Sequence, residues 1–110
     1  MNKSHFQRAV NGLVVGSFFV VGNAFGADAN LAAANRGQAL HADKCAGCHA
    51  DKSGLGDGTV LYTRSDRKAK NIKQLQVMVA RCNSELRLDL FPEDEADVVI
   101  FLQRNFYHFK

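Results

Sequence analysis

Cys45, Ala46, Gly47, Cys48 and His49 bring two thiols and an imidazole together in one short run. Two thiols at this spacing can reach the two vinyl groups of one porphyrin and form thioethers with them. The imidazole of the next residue can then bind the iron from the same side. Small residues at positions 46 and 47 let the backbone turn and lie close to the ring. The run predicts one covalently attached haem c, held by Cys45 and Cys48, with His49 as an iron ligand.

Three other kinds of site could use the same residues. A thioredoxin-like site needs a preceding strand, whereas the residues before Cys45 are rich in helix formers. A zinc site needs further ligands, and outside the N-terminal segment only Cys82, His41 and His108 remain. A local disulfide between Cys45 and Cys48 is sterically poor at this spacing. Haem attachment is therefore the favoured interpretation.

The N-terminal segment, Met1 to Gly26, has the features of a secretory signal. It carries Lys3 and Arg8 and no acidic residue, and these are followed by the apolar run Gly12–Gly22 and by small residues. An apolar run of about 11 residues is too short to span a bilayer, which needs about 20. We therefore expect cleavage, export to the periplasm and one mature domain over residues 27–110.

Most of the positive charge lies in that segment. The whole chain has 14 basic and 11 acidic residues and a net charge of +3, but without Lys3 and Arg8 it has 12 basic and 11 acidic residues. Cleavage after Ala24 or Ala27 instead would leave this balance unchanged. The balance gives no support to nucleic-acid binding, which needs a clear positive excess. Because so short a domain buries only a thin core, a cofactor with a large apolar body suits its length.

Three helices are predicted to position the motif. Ala29–His41 is rich in helix formers, Ile72–Cys82 has apolar residues at helical spacing, and the third helix begins at Pro92, which three acidic residues follow. We expect an irregular loop over Asp51–Gly58 and an extended loop rather than a strand over Thr59–Thr63. The residues expected to face the core are Ile72, Leu75, Met78, Val79 and Cys82 in the second helix and Ala96, Val99, Leu102 and Phe106 in the third.

The motif and two flanking segments resemble the small monohaem c-type cytochromes of class I type. Arg36–Leu40 is similar to the N-terminal helix of that family, and Val98–Leu102 is similar to its C-terminal helix. The resemblance implies an all-α, cytochrome c-like fold in which three main helices surround one haem. It also implies that these two helices cross at close range, with Gly37 permitting the approach.

The chain departs from the family pattern on the proximal side of the iron. In the family, a Pro after the motif often orients the proximal imidazole through its carbonyl group. Pro92 is the only proline of this chain, so that residue has no counterpart. We expect a backbone carbonyl group from Leu55 to Thr59 to replace it, and we expect His41 to be exposed or packed on this side.

On the distal side, the family's usual methionine loop is missing. Arg81–Asn83 and Phe91–Glu93 resemble, more weakly, the sphaeroides haem protein group, in which a Cys near the distal ligand pairs with a second Cys. Here Leu90 stands at the second position, so that disulfide cannot form.

Met78 and Cys82 are four residues apart and therefore share one helical face. A Met78 thioether would hold ferrous haem well, and iron ligation would explain the unpaired thiol of Cys82. Either residue can instead belong to the core. His108 as the ligand and an open site are the remaining alternatives.

These features together predict an exported monohaem cytochrome c that carries single electrons between redox partner proteins and is not an enzyme. One alternative is a haem-based sensor or small-ligand-binding protein, and another is the electron-transfer subunit of a larger periplasmic oxidoreductase. Basic residues between Arg64 and Lys73 could bind a haem propionate, dock an acidic partner or form a solvated face. We expect no membrane span after signal cleavage.

Overall fold

The computed structural model describes Gly16 and residues 25–110, and within these residues the chain forms helices and no strand. The all-α prediction is therefore confirmed. The predicted signal, Met1 to Gly26, lies outside the described residues except for Gly16 and its last two positions. The helices are α1 (Phe25–Lys44), α2 (Ala46–Ser53), α3 (Val60–Thr63), α4 (Ile72–Leu86) and α5 (Pro92–Leu102), and a π-helical turn covers Gln103–Tyr107.

The first predicted helix lies inside α1, and Cys45 alone separates α1 from α2. The end of α2 is set by Gly54, which has a φ of 71° and donates its N–H to the carbonyl group of Asp51. Glycine adopts this left-handed conformation without steric cost, so it ends helices efficiently. The predicted loop over Asp51–Gly58 is thus helical in its first three residues.

The expectation of an extended loop over Thr59–Thr63 is wrong, because residues from Val60 form α3. The carboxylate of Asp57 accepts hydrogen bonds from the backbone N–H of Thr59 at 2.9 Å and from its hydroxyl at 2.7 Å. A side chain that bonds the backbone two residues ahead turns the chain locally. The turn brings the next residues into helical geometry despite their preference for strands.

The second predicted helix is α4, which continues past Cys82 to Leu86. Its first turn is capped by Asn71, whose side-chain oxygen accepts a hydrogen bond from the N–H of Gln74 at 2.9 Å. Near its end, Asn83 donates to the carbonyl group of Leu90 and accepts from the N–H of the same residue. These bonds hold the loop after α4 close to the helix.

The third predicted helix begins at Pro92, as expected. Asp94 accepts a hydrogen bond from the N–H of Phe91 at 3.0 Å, which satisfies one of the free donors at the helix start. Val99 and Leu102 are buried as predicted, whereas Ala96 is exposed. The core-facing side includes Asp97 instead, because its charge has a partner on α1.

Helices α1 and α5 cross at Gly37, and this prediction is confirmed. A Cβ atom at this position would lie 2.5 Å from the carbonyl carbon of Asp97 and 2.9 Å from the nitrogen of Val98. Arg36 donates two hydrogen bonds to the Asp97 carboxylate, at 2.6 and 3.0 Å, beside this contact. The paired geometry lets an acidic side chain with only 7% exposure lie in the interface.

Arg67 connects the middle of the chain to its C-terminal turn. Its guanidinium group donates to the carbonyl groups of Tyr62, at 3.0 Å, and of Tyr107, at 3.2 Å. The same group lies over the rings of Tyr107 and Phe109, 4.9 and 5.1 Å from their centroids. Hydrogen bonds and cation–π contacts thus fix α3 against the C-terminal turn.

Candidate haem site

The motif lies at the junction of α1 and α2. Cys45 donates its N–H to the carbonyl group of His41 at 2.9 Å, and its own carbonyl group accepts from the N–H of His49 at 3.1 Å. Helical hydrogen bonding therefore passes through the junction and holds Cys48 and His49 in the first turn of α2. All three cysteines of the chain, including Cys82, are free thiols.

An apolar cleft joins the motif to α4. It contains about 690 Å³ of empty space, including the part open to solvent. Cys45, Cys48 and His49 all line this cleft. The other apolar, aromatic or sulfur-bearing side chains that line it are Tyr62 from α3, Leu75, Met78, Val79, Cys82 and Leu86 from α4, and Leu88, Leu90, Val98, Leu102 and Tyr107 from the segments that follow.

Two of the predicted distal candidates lie in this cleft. Met78 and Cys82 are half-buried and line it, whereas His108 is exposed and is not among the lining residues. Within the predicted core-facing side of α4, Leu75 is buried but Ile72 is 41% exposed. The cleft therefore brings the motif together with both sulfur-bearing residues of α4.

The imidazole of His49 is held by a side chain and not by a loop carbonyl group, so the prediction for Leu55 to Thr59 is wrong. Nδ1 of His49 is hydrogen-bonded to the hydroxyl group of Tyr62. The carbonyl groups of Gly58 and Thr59 instead accept from the backbone N–H groups of the next turn, at 3.1 and 3.0 Å. Formation of α3 thus uses these loop acceptors and places Tyr62 against the imidazole.

A second histidine completes this arrangement. Nε2 of His41 lies 2.7 Å from the hydroxyl oxygen of Tyr62, and the exposure of His41 is 8%. The rings of His41 and His49 each meet the Tyr62 ring edge to face, with centroids 5.6 and 5.2 Å away. Two imidazoles therefore share one phenol, and His41 is packed rather than exposed.

Burial dominates the electrostatics of this group. It lowers the pKa of His49, with a smaller effect from the positive charge of Lys52, and it lowers the pKa of His41, with a smaller effect from His49. It also raises the pKa of Tyr62 well above its ordinary range. At neutral pH both imidazoles are therefore neutral and the phenol keeps its proton, and a neutral imidazole is the form that binds a metal.

Gly58 and Tyr62 are the site residues that sequence reasoning missed. A Cβ atom on Gly58 would lie 2.6 Å from Cβ of His49 and 2.8 Å from its carbonyl carbon. The loop therefore packs directly against the backbone that carries the imidazole. The adjacent Asp57 and Gly58 were a turn signal that could have indicated this approach, but no local pattern distinguishes Tyr62.

The positive side chains at the cleft differ from those considered in the sequence. Lys44 and Lys52 line it. In the basic stretch, Arg64 forms an ion pair with Asp66, and Arg67 donates to backbone carbonyl groups within the fold. Lys44 of α1 and Lys52 of α2 therefore supply the positive charges that can pair with anionic groups of a molecule bound in the cleft.

The residues present fit a covalently bound haem. Two free thiols and one imidazole line the same apolar cleft, and Nδ1 of His49 has a partner while no described residue bonds its Nε2. Within residues 25–110, no group of three or more His, Cys, Asp or Glu side chains is arranged to hold a metal ion directly. Two thiols and one imidazole are the groups that a c-type haem uses for its covalent attachment and for one iron ligand.

None of the α-helices in the described part of the chain has the length and apolarity that a membrane span requires.

Comparison with known proteins adds no family assignment. No family model matches the chain, and no curated protein or solved structure matches it significantly.

Proposed function

We propose that the chain is a monohaem c-type cytochrome that carries single electrons between redox proteins. The observation that carries the proposal is that Cys45, Cys48 and His49 line one apolar cleft, with the imidazole neutral and held through Nδ1. In this role the two thiols would hold the haem as thioethers and His49 would bind its iron. A haem so bound takes up and releases one electron at its iron.

The chain's own residues supply the other needs of such a carrier. Apolar side chains such as Leu75, Val98 and Leu102 line the cleft and would shield a bound haem from water, and Leu75 and Val98 are 2% and 1% exposed. Lys44 and Lys52 give the cleft positive groups that can meet the haem propionates or an acidic partner. We propose export to the periplasm, as the sequence of residues 1–26 predicts.

The experiment is expression of the full chain with a c-type cytochrome maturation system. We expect a red product whose mass exceeds that of the mature polypeptide by one haem and whose haem resists extraction. Cys45→Ala with Cys48→Ala should abolish covalent attachment, whereas the matched variant Cys82→Ala should retain it because Cys82 lies outside the motif. A colourless product with the mass of the bare polypeptide would contradict the proposal.

A second candidate function is the binding of a small ligand at the iron. It is favoured because, apart from Met78 and Cys82, α4 presents only apolar side chains to the cleft. Carbon monoxide separates the two functions. A ferrous spectrum that stays low-spin and unchanged under carbon monoxide supports the electron carrier, whereas rapid binding supports the ligand-binding protein.

A further inference from the structure

The hydroxyl group of Tyr62 lies between two imidazoles. It is bonded to Nδ1 of His49 on one side and lies 2.7 Å from Nε2 of His41 on the other. Tyr62 is 3% exposed and His41 is 8% exposed. The two imidazoles, and not bulk water, are therefore the hydrogen-bonding partners of the Tyr62 hydroxyl group. The three groups form one hydrogen-bonded chain, in which Tyr62 and His41 are buried and His49 is half-buried.

The number of protons limits this chain to two arrangements. Each neutral imidazole carries one N–H, and the phenol has one proton for two hydrogen bonds. In one arrangement, Nδ1–H of His49 donates to the oxygen of Tyr62, and the hydroxyl group donates to Nε2 of His41. In the reverse arrangement, His41 donates to Tyr62, which donates to Nδ1 of His49, and the remaining proton of His49 is on Nε2.

We infer that Tyr62 is a positioning residue that, with His41 as acceptor of its proton, holds His49 in the Nδ1–H form with Nε2 free for iron. Only the first arrangement leaves a lone pair on Nε2, so it is the one of the two that allows metal binding and keeps both hydrogen bonds of the chain. The inference rests on the proposed function and deepens it. In this chain a tyrosine hydroxyl does what a loop carbonyl group was expected to do.

This arrangement has a consequence for the iron. A hydroxyl group that donates its own proton to His41 is a better acceptor for the Nδ1–H of His49, because successive hydrogen bonds polarise one another. A stronger bond at Nδ1 makes the imidazole more electron-rich and favours the ferric iron. Loss of the hydroxyl group is therefore expected to move the reduction potential to more positive values.

The test is Tyr62→Phe in the haem-loaded full chain. The variant keeps the ring, which packs 5.4 Å from the Phe106 ring and 5.8 Å from the Tyr107 ring between centroids. We expect the haem to remain attached, the reduction potential to rise, and the Nδ1–H of His49 in the ferrous protein to exchange with solvent about tenfold faster by NMR. The matched control is Phe106→Leu, since Phe106 packs against the Tyr62 ring, has no hydrogen-bonding group in its side chain and does not line the cleft.

The outcomes separate this inference from the proposed function. A haem-loaded Tyr62→Phe variant with the potential and exchange rate of the unsubstituted protein would overturn the inference and leave the cytochrome intact. A full chain that never acquires haem would overturn the function itself. If Tyr62→Phe does not accumulate, His41→Leu provides the same test, because it keeps Tyr62 but removes the acceptor of the phenol proton and should also raise the potential.

Discussion

Gly37 lies directly against the backbone of Asp97, so that helices α1 and α5 meet without an intervening side chain. The carbonyl carbon of Asp97 is only 2.5 Å from the place that a Cβ atom would take. Because the neighbouring atoms belong to a helix backbone, they cannot move aside as a flexible side chain would.

Gly37→Ala is therefore expected to destabilise the haem-loaded chain by about 3 kcal/mol. Guanidinium unfolding followed by circular dichroism measures the change. Gln38→Ala is the control, since Gln38 is the next residue of the same helix and is exposed. Equal stabilities of the two variants would show that the helices do not meet at this residue.

Gly58→Ala should disturb His49, the proposed iron ligand. The new methyl group would lie 2.6 Å from Cβ of His49, and we expect a loss of about 1–3 kcal/mol together with a changed haem spectrum. Gly54→Ala is a discriminating control. Its φ of 71° makes alanine strained by about 1 kcal/mol, but no atom lies within 4 Å of the added group. Both variants should lose stability, and only Gly58→Ala should alter the spectrum.

Cys82 is the first choice for the sixth iron ligand, and Met78 is the second. We expect Cys82→Ala to convert the ferric spectrum from low-spin to high-spin and Met78→Ala to leave it low-spin. Val77→Ala is the control on the same helix, since Val77 is 61% exposed and does not line the cleft. The reverse pattern would identify Met78 as the ligand, and two unchanged spectra would identify an open or different site.

His41 is expected to make stability depend on pH. Burial lowers its pKa from the ordinary value of 6.5, so the unfolded chain binds a proton more readily than the folded chain. The contribution of neutral His41 to the free energy of unfolding is fully present above pH 6.5 and is lost as the pH decreases below it. Denaturation midpoints between pH 7 and pH 5 should drop less in His41→Gln than in the unsubstituted protein. The exposed His108, replaced by Gln, is the control, and an unchanged slope in His41→Gln would contradict the assignment.

Local signals predicted α4 and the start of α5 well. Pro92 and the acidic residues after it mark a helix start through rules that act within one turn, and the apolar spacing from Leu75 onward reflects one buried face. The extension of α4 to Leu86 was missed because its last turn depends on Asn83, whose partner Leu90 lies in the following loop. Such a bond has no signature in the helix's own sequence.

The core-facing side of α5 illustrates a different limit. Hydropathy places Ala96 inside and Asp97 outside, whereas the fold has the opposite arrangement. The reason is Arg36, which lies far away in the chain and neutralises the buried carboxylate. In the candidate site, Cys45, Cys48 and His49 were evident from their spacing. The role of Tyr62 was not, because α3 and α1 must both form before its hydroxyl group meets two histidines.

Arg67 extends the surroundings of the proposed iron site to the far end of the chain. Its guanidinium group donates hydrogen bonds to the carbonyl groups of Tyr62, which is bonded to His49, and of Tyr107 in the C-terminal turn. Removal of the final turn would therefore leave the thiols and the imidazole in the chain but loosen the support behind them. The C-terminal turn therefore supports Tyr62, the residue that is bonded to the proposed iron ligand.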